Sequence, residues 1–206
     1  MLVIWGRTNS VNVQKVLWCC GELGLEHRRI DAGGNFGVVG TPEYRKLNPN
    51  GLVPTIDDGG FVLWESHAIV RYLAAKHGAG SLLPHDLRPR ALADQWMDWK
   101  ATVLWPAFRT LFVGLVRTPP AERDGRAIEA SREATAKAFG ILDRHLEAQA
   151  FVAGEALTMG DIPLGCAVWR WLALPIERPA LPNLERWARA LGERPAYRSA
   201  VMLPLS

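Results

Sequence analysis

The sequence has little of what would mark a secreted, metal-bound or membrane-embedded protein. It holds only three cysteines, Cys19, Cys20 and Cys166, an odd number with no Cys-x-x-Cys pair. That argues against a disulfide framework and against a zinc site. Cys19 and Cys20 are adjacent and poorly placed to bridge each other; on a helix, at least one faces the core as a structural thiol. No apolar run approaches the ~20 residues of a membrane span. Met1 to Trp5 run straight into Gly6 and Arg7, unlike a secretory signal, so a cytoplasmic location is expected. Blocks of like charge are missing too. The net charge is +3, and the arginines are scattered rather than interleaved with aromatics as on a nucleic-acid surface. Neither nucleic acid nor membrane is expected as a partner, and no metal.

What is present reads as a soluble globular chain of 206 residues, 49% hydrophobic and 22% charged, enough for one large domain or two small ones. Leu2 to Trp5 is a short apolar strand ended by Gly6. Val11 to Leu23 carries Val13, Val16, Leu17, Cys20 and Leu23 at helical spacing, and Gly24 stops it. His27 to Asp31 is a second strand, followed by a glycine-rich loop over 32–40. Thr41-Pro42-Glu43 starts a short helix ending near Leu47. Asn48-Pro49-Asn50-Gly51 is a turn. Val53 to Ile56 and Phe61 to Trp64 form a hairpin around Asp57-Asp58-Gly59-Gly60. A helix from Glu65-Ser66 to about His77 closes this α/β unit, residues 1–78. Gly80, Pro84 and Pro89 mark a linker over 79–89. Residues 90–206 read as all-α: Arg90 to Val116, bent at Pro106, then Glu122 to Ala148, Ile162 to Leu172, Asn183 to Leu191 and Pro195 to Met202.

Three local signals carry chemistry. Val53-Pro54 stands where a proline starts a strand; a cis bond there would turn the Val53 amide and carbonyl outward, to pair with an extended peptide as an added strand. The plainer reading is a trans proline at a strand end. Glu65-Ser66 at a helix start offers a carboxylate, a hydroxyl and free N–H groups, suited to a ligand with both an ammonium and a carboxylate. The plainer role is N-capping by Ser66. Thr8-Asn9-Ser10-Val11-Asn12 opens the first helix, where a hydroxyl can donate to a sulfur anion. Lowering a thiol from about 8.5 to about 6.5 needs roughly 2.7 kcal/mol. One hydrogen bond to a charged partner supplies roughly 1.5–3 and the helix terminus roughly 0.3–1. Capping by Ser10 or Asn12 is the plainer role here.

Together these signals resemble the cytosolic glutathione transferases, of bacterial theta- or nu-like type. The resemblance rests on Ser10 to Lys15 ahead of Val16-Leu17-Trp18, on Asn48 to Pro54, and on Glu65-Ser66-His67-Ala68-Ile69. It implies a thioredoxin-like βαβ-α-ββα domain followed by a C-terminal helical bundle. It implies glutathione as co-substrate, with Val53 before a cis-Pro54 pairing with the cysteinyl backbone and Glu65 and Ser66 holding the γ-glutamyl end. Ser10 is the expected thiolate donor, Asn12 the rival and Thr8 third; no tyrosine follows the first strand, and the cysteine of beta-type enzymes is missing. The zeta Ser-Ser-x-Ser pattern is also absent. Many members carry a basic residue or Gln where Leu52 stands, leaving Asn50, Arg45 or Lys46 to substitute. Thr158 and Asp161 resemble the family's helix-capping box. Trp105, Phe108 and Phe112 are the implied electrophile pocket, although core packing is the plainer reading of such a stripe. Conjugation of small apolar electrophiles by a detoxifying homodimer is the activity implied. A nu-type disulfide reductase and a non-catalytic ligand- or protein-binding module are the alternatives.

Overall fold

The computed structural model describes residues 1–206. Four strands, β1 (Leu2–Trp5), β2 (His27–Ile30), β3 (Thr55–Asp58) and β4 (Phe61–Trp64), form one mixed sheet in the order β2-β1-β3-β4. The β1–β2 pair is parallel, with Ile4 opposite Arg29; β1–β3 and β3–β4 are antiparallel. The hairpin turn is Gly59-Gly60 alone, because Asp57 and Asp58 belong to β3. Both glycines have positive φ (64° and 95°), the conformation a two-residue turn demands. The third strand accordingly starts at Thr55, after the Val53–Pro54 bond, which is cis.

Helices α1 (Val11–Glu22), α2 (Pro42–Leu47) and α3 (Ser66–His77) complete the first unit. The α1 helix is buried almost all round. One side packs on α3 and the other on the helical unit, at α7 (Asp161–Ala173) and α9 (Pro195–Ala200). Small residues allow that approach: a Cβ on Gly165 would sit 2.6 Å from Trp18, and one on Gly21 would sit 2.8 Å from Ala196. Trp18 meets Tyr197 edge-on at 4.7 Å and donates to Glu22, whose other oxygen takes Arg194. One hydrophobic cluster of 43 buried residues therefore runs from β1 through α1 into the helical unit.

The helical unit begins earlier than the composition suggests, with α4 at Leu87–Trp99, capped by Asp86 accepting from the Arg88 amide. The expected single helix to Val116 is interrupted by a π-helical stretch, Lys100–Leu104, before α5 (Trp105–Val116). Pro106 explains it: without an N–H it cannot bond the Thr102 carbonyl, and its ring crowds that turn. The remaining helices are α6 (Gly125–His145), α7, α8 (Pro182–Gly192) and α9. The ends expected for α6 are separate 3₁₀ turns, Pro120–Glu122 and Leu146–Ala148.

Candidate functional site

Two adjoining depressions share Asn12, Glu65 and Ser66. The smaller, about 30 Å³, is lined also by Asn48, Asn50, Leu52, Val53 and Pro54. Its wall is an open backbone edge: neither the amide nor the carbonyl of Val53 bonds to another protein group. The loop is held by its neighbours. The Leu52 carbonyl accepts from Tyr44 Oη at 2.7 Å and from Asn48 Nδ2 at 2.9 Å, while Tyr44 Oη and Asn48 Nδ2 both also reach Thr55 Oγ1. The Leu52 side chain is 63% exposed. Asn50 is tied to Asn48 Oδ1 through both its amide groups. Arg45 packs by Gly51 and reaches only the Pro49 carbonyl, and neither it nor Lys46 lines the depression.

At the start of α3, Glu65 takes the N-cap position with φ +72°, a conformation strained for a residue with a side chain and concentrated at ligand-binding positions. No side chain caps this helix. Ser66 is its first residue rather than its cap, so the amides of Ser66, His67 and Ala68 have no partner. That is an anion-receptive helix end.

At the start of α1, Ser10 holds the N-cap position but its side chain caps nothing. It is 7% exposed and lines neither depression, and Thr8 lines neither as well. Asn12 is exposed and lines both. Its Oδ1 accepts from Lys15 Nζ at 2.8 Å and, weakly, from Ser66 Oγ at 3.4 Å. A lysine ammonium only donates, so the carboxamide is oriented with Nδ2 away from Lys15, an amide donor with no protein acceptor.

Lys15 itself is 2% exposed. Its remaining donors go to Ser66 Oγ and His67 Nε2, both at 3.1 Å. His67 must present Nε2 as an acceptor, hence be neutral; burial, then the charges of Lys15 and Lys100, push it down to about 2. All three partners of Lys15 are uncharged. Beside it lies Lys100, 3% exposed, and behind it Arg170, which bonds Gln14 Oε1 at 2.7 Å and the Cys166 carbonyl at 3.0 Å. No carboxylate lies within ion-pair distance of Lys15, Lys100 or Arg170; the ion pairs are elsewhere. Burial and the neighbouring Lys100 hold Lys15 well below the usual lysine range, and burial lowers Lys100 to about 8.

Lys100 and Trp105 line the larger depression, about 400 Å³, with Asn12, Lys15, Glu65, Ser66, His67 and Arg71. Five residues apart on an α-helix they would point about 140° away from each other. The π turn, closed by the Trp105 amide on the Lys100 carbonyl, stacks them instead, with Nζ 4.8 Å from the ring centre. Phe108 and Phe112 do not join the wall. They are 0% and 1% exposed; Phe108 packs on Phe112, Phe139 and Trp171, so of the three aromatic candidates only Trp105 faces the cleft. The thiols are no nucleophiles: burial raises Cys19, Cys20 (to about 12) and Cys166 (to about 11).

Lys15 and Lys100 carried no assigned role in the sequence, yet a signal exists. Val11–Lys15–Cys19 and Trp96–Lys100–Leu104–Phe108 are apolar stripes at four-residue spacing with one lysine each. A lysine on an apolar stripe is out of place unless it serves something buried.

Away from the cleft, Thr158 and Asp161 form a closed box at the start of α7. Asp161 Oδ2 accepts from the Thr158 amide at 2.8 Å and from its hydroxyl at 3.2 Å; Oδ1 accepts from the Val152 amide and from Trp187 Nε1. Thr158 Oγ1 takes the Gly160 amide. Burial pushes the carboxyl up to about 6 against these four bonds.

Residues 9–76 match the model of the glutathione S-transferase N-terminal domain, and residues 93–195 that of the C-terminal domain. A glutathione S-transferase of Escherichia coli strain K12, GstB, is 42% identical over the full length of both chains. The structure of a theta-class glutathione S-transferase from Xanthomonas axonopodis pv. citri, with glutathione bound, superposes with a TM-score of 0.96 at 49% identity, covering 100% of this chain and 99% of that one. A delta-class enzyme of Nilaparvata lugens is 30% identical with a TM-score of 0.85, covering 97% of this chain and 92% of that one. Matched by both domain models and by relatives along its whole length, the chain belongs to the glutathione S-transferase family.

Proposed function

We propose that the protein is a glutathione transferase that joins the glutathione thiolate to small electrophiles. One observation carries the reading: the unpaired Val53 backbone faces the uncapped start of α3 across Asn12, Glu65 and Ser66. Glutathione lies along that edge as an added strand. Glu65 takes the γ-glutamyl amine, and Ser66 with the free α3 amides takes the adjacent carboxylate. Asn50 and Leu52 flank the glycyl end.

The sulfur needs a donor at the start of α1. Asn12 is the better placed: its Nδ2 is free, oriented by Lys15, and on the cleft wall. Ser10 is the rival, set deeper, and Thr8 the third. A hydrogen bond to the thiolate supplies roughly 1.5–3 kcal/mol, comparable to the roughly 2.7 kcal/mol that ionisation near neutral pH requires. The thiolate then attacks an electrophilic carbon beside Trp105, and the leaving group departs with the bonding pair. The protein supplies no nucleophile of its own, since its three thiols are buried. Disulfide reduction and simple ligand binding draw no support from the relatives, which carry the transferase name. A cytoplasmic homodimer engaged in detoxification completes the proposal; exposed apolar Leu52, Phe61 and Trp64 offer surface for a second copy.

Retention on immobilised glutathione and turnover of chlorodinitrobenzene test this reading. Asn12→Ala should lower kcat/KM roughly ten- to hundredfold and raise the pH at which bound glutathione ionises by about one to two units, the equivalent of one charged hydrogen bond. Ser10→Ala should do less, and the reverse order would move the donor role to Ser10. No binding at millimolar glutathione would remove the function altogether.

A further inference from the structure

The larger depression contains something that conjugation of an uncharged electrophile does not require. Lys15 from α1 and Lys100 from the π-helical stretch are both buried at its inner end, side by side, and neither has an anionic partner. Two carboxylates line the same cavity and leave the lysines alone. Asp98 is taken by Arg71 at 2.6 Å, and exposed Glu65 makes no ion pair. Buried charge without a counter-charge is strongly disfavoured. The π turn that carries Lys100 also turns it, with Trp105, into this cavity. The free protein thus holds two buried amines in a pocket with room for a ligand, and neither carboxylate on the cavity wall reaches them.

We infer that Lys15 and Lys100 form a carboxylate-binding site for the second substrate, so that the enzyme's electrophile is a small organic acid. The inference rests on the glutathione transferase reading and names the substrate class of the same cleft. The anion belongs to the electrophile rather than to glutathione for two reasons. The γ-glutamyl carboxylate already has the α3 amides and Ser66, and Lys100 comes from the helical unit together with Trp105, the one aromatic wall of the cavity. The electrophile is short. Lys15 spends its three N–H groups on Asn12, Ser66 and His67, so Lys100 donates to the carboxylate while Lys15 adds charge. Lys15 also bonds Asn12, the proposed sulfur donor, at 2.8 Å, so carboxylate and thiolate share one end of the cavity. In the reaction the sulfur forms a bond to that carbon, a halide or comparable group leaves with the broken bond's electron pair, and the carboxylate is unchanged. An anion between the two ammonium groups also favours their charged forms, which burial and mutual repulsion oppose. Arg170 adds positive potential from behind.

Iodoacetate and iodoacetamide provide the test, because they differ in the charge and hardly in size. For each, kcat/KM at saturating glutathione is divided by the uncatalysed rate constant with glutathione. The wild-type enzyme should favour iodoacetate at least tenfold on this scale. Lys100→Met should lower iodoacetate turnover at least tenfold more than iodoacetamide turnover, and Lys100→Arg should keep most of the preference. Equal normalised rates in the wild type, or turnover of neither alkylator, overturn the proposal whether or not the Met variant folds. An equal loss of both substrates in Lys100→Met assigns the lysine a structural role and overturns it as well. A rise in the KM for glutathione with both alkylators places glutathione's own carboxylate there, and also overturns it. Chlorodinitrobenzene is run in parallel: conjugation of it without acid preference sinks only this inference, whereas no conjugation at all sinks the transferase reading beneath it.

Discussion

Two of the buried clusters in this molecule are built around charged side chains, and they are opposites. At the start of α7, the Asp161 carboxylate is fully buried and its two oxygens accept four hydrogen bonds. In the cleft, the Lys15 and Lys100 ammonium groups are equally buried, yet no carboxylate meets either one. A buried charge surrounded by donors or acceptors holds a fold in one arrangement, since every partner is lost if the fold opens. A buried charge left without a counter-ion contributes instability that is relieved by losing the proton or by binding an anion. The first cluster is finished by the chain; the second is finished by what binds.

The comparison breaks most readily at its closed side. Asp161→Ala would leave the Val152 and Thr158 amides, the Thr158 hydroxyl and Trp187 Nε1 without an acceptor. We expect a loss on the order of 4 kcal/mol, each orphaned donor contributing roughly 1–3 and the set being less than additive. Chemical denaturation measures it, and a loss below 1 kcal/mol would mean that the box is not a stability element.

The open side should respond with the opposite sign. Lys100→Met replaces an uncompensated buried cation by an apolar side chain of similar length, so the ligand-free protein should melt a few degrees higher. The effect is pH-dependent. Lys100 titrates lower folded (about 8) than in the unfolded chain (10.5), so between those values the unfolded state binds more protons. Stability from this group therefore rises as pH increases through that window and is at its lowest below about 8. Wild type and Lys100→Met should accordingly converge in Tm toward pH 10. A lower Tm for the variant at pH 7 would show that Lys100 supports the fold.

The smallest change probes the edge of the closed cluster. Thr158→Ala removes one donor to Asp161 and the acceptor of the Gly160 amide but keeps the Thr158 backbone bond. A loss of about 1 kcal/mol is expected, as for a helix cap. A loss matching that of Asp161→Ala would mean that the hydroxyl, not the carboxylate, organises the box.

Some of the site was legible because it is built from neighbours in the chain. Val53-Pro54 and Glu65-Ser66 are short segments whose backbone and first-turn geometry follow from the residues themselves, and both stand on the cleft in the structure. Other parts depended on what lies across the fold. By position Ser10 is the expected donor and Asn12 the rival; the proposal for Asn12 draws on its place on the cleft wall and on the Lys15 bond that turns its amide outward, neither of which the sequence shows. Phe108 and Phe112 have the spacing of a pocket wall, but α6 and α7 cover that face of α5 with Phe139 and Trp171.

By itself the sequence determined the order of the strands and of the first three helices, the place of the hairpin and the motifs of the glutathione edge, because those depend on torsional preference and hydrogen bonding over a few residues. Only the tertiary structure decided which buried charges are answered and which are not. Asp161 finds Val152 nearby and Trp187 a helix away, while Lys15 and Lys100, distant in the chain, meet where α1 passes the π turn. Whether a charge inside a protein stabilises it or waits for a ligand is set by the groups within a few ångströms of it, and three-dimensional packing chooses those groups.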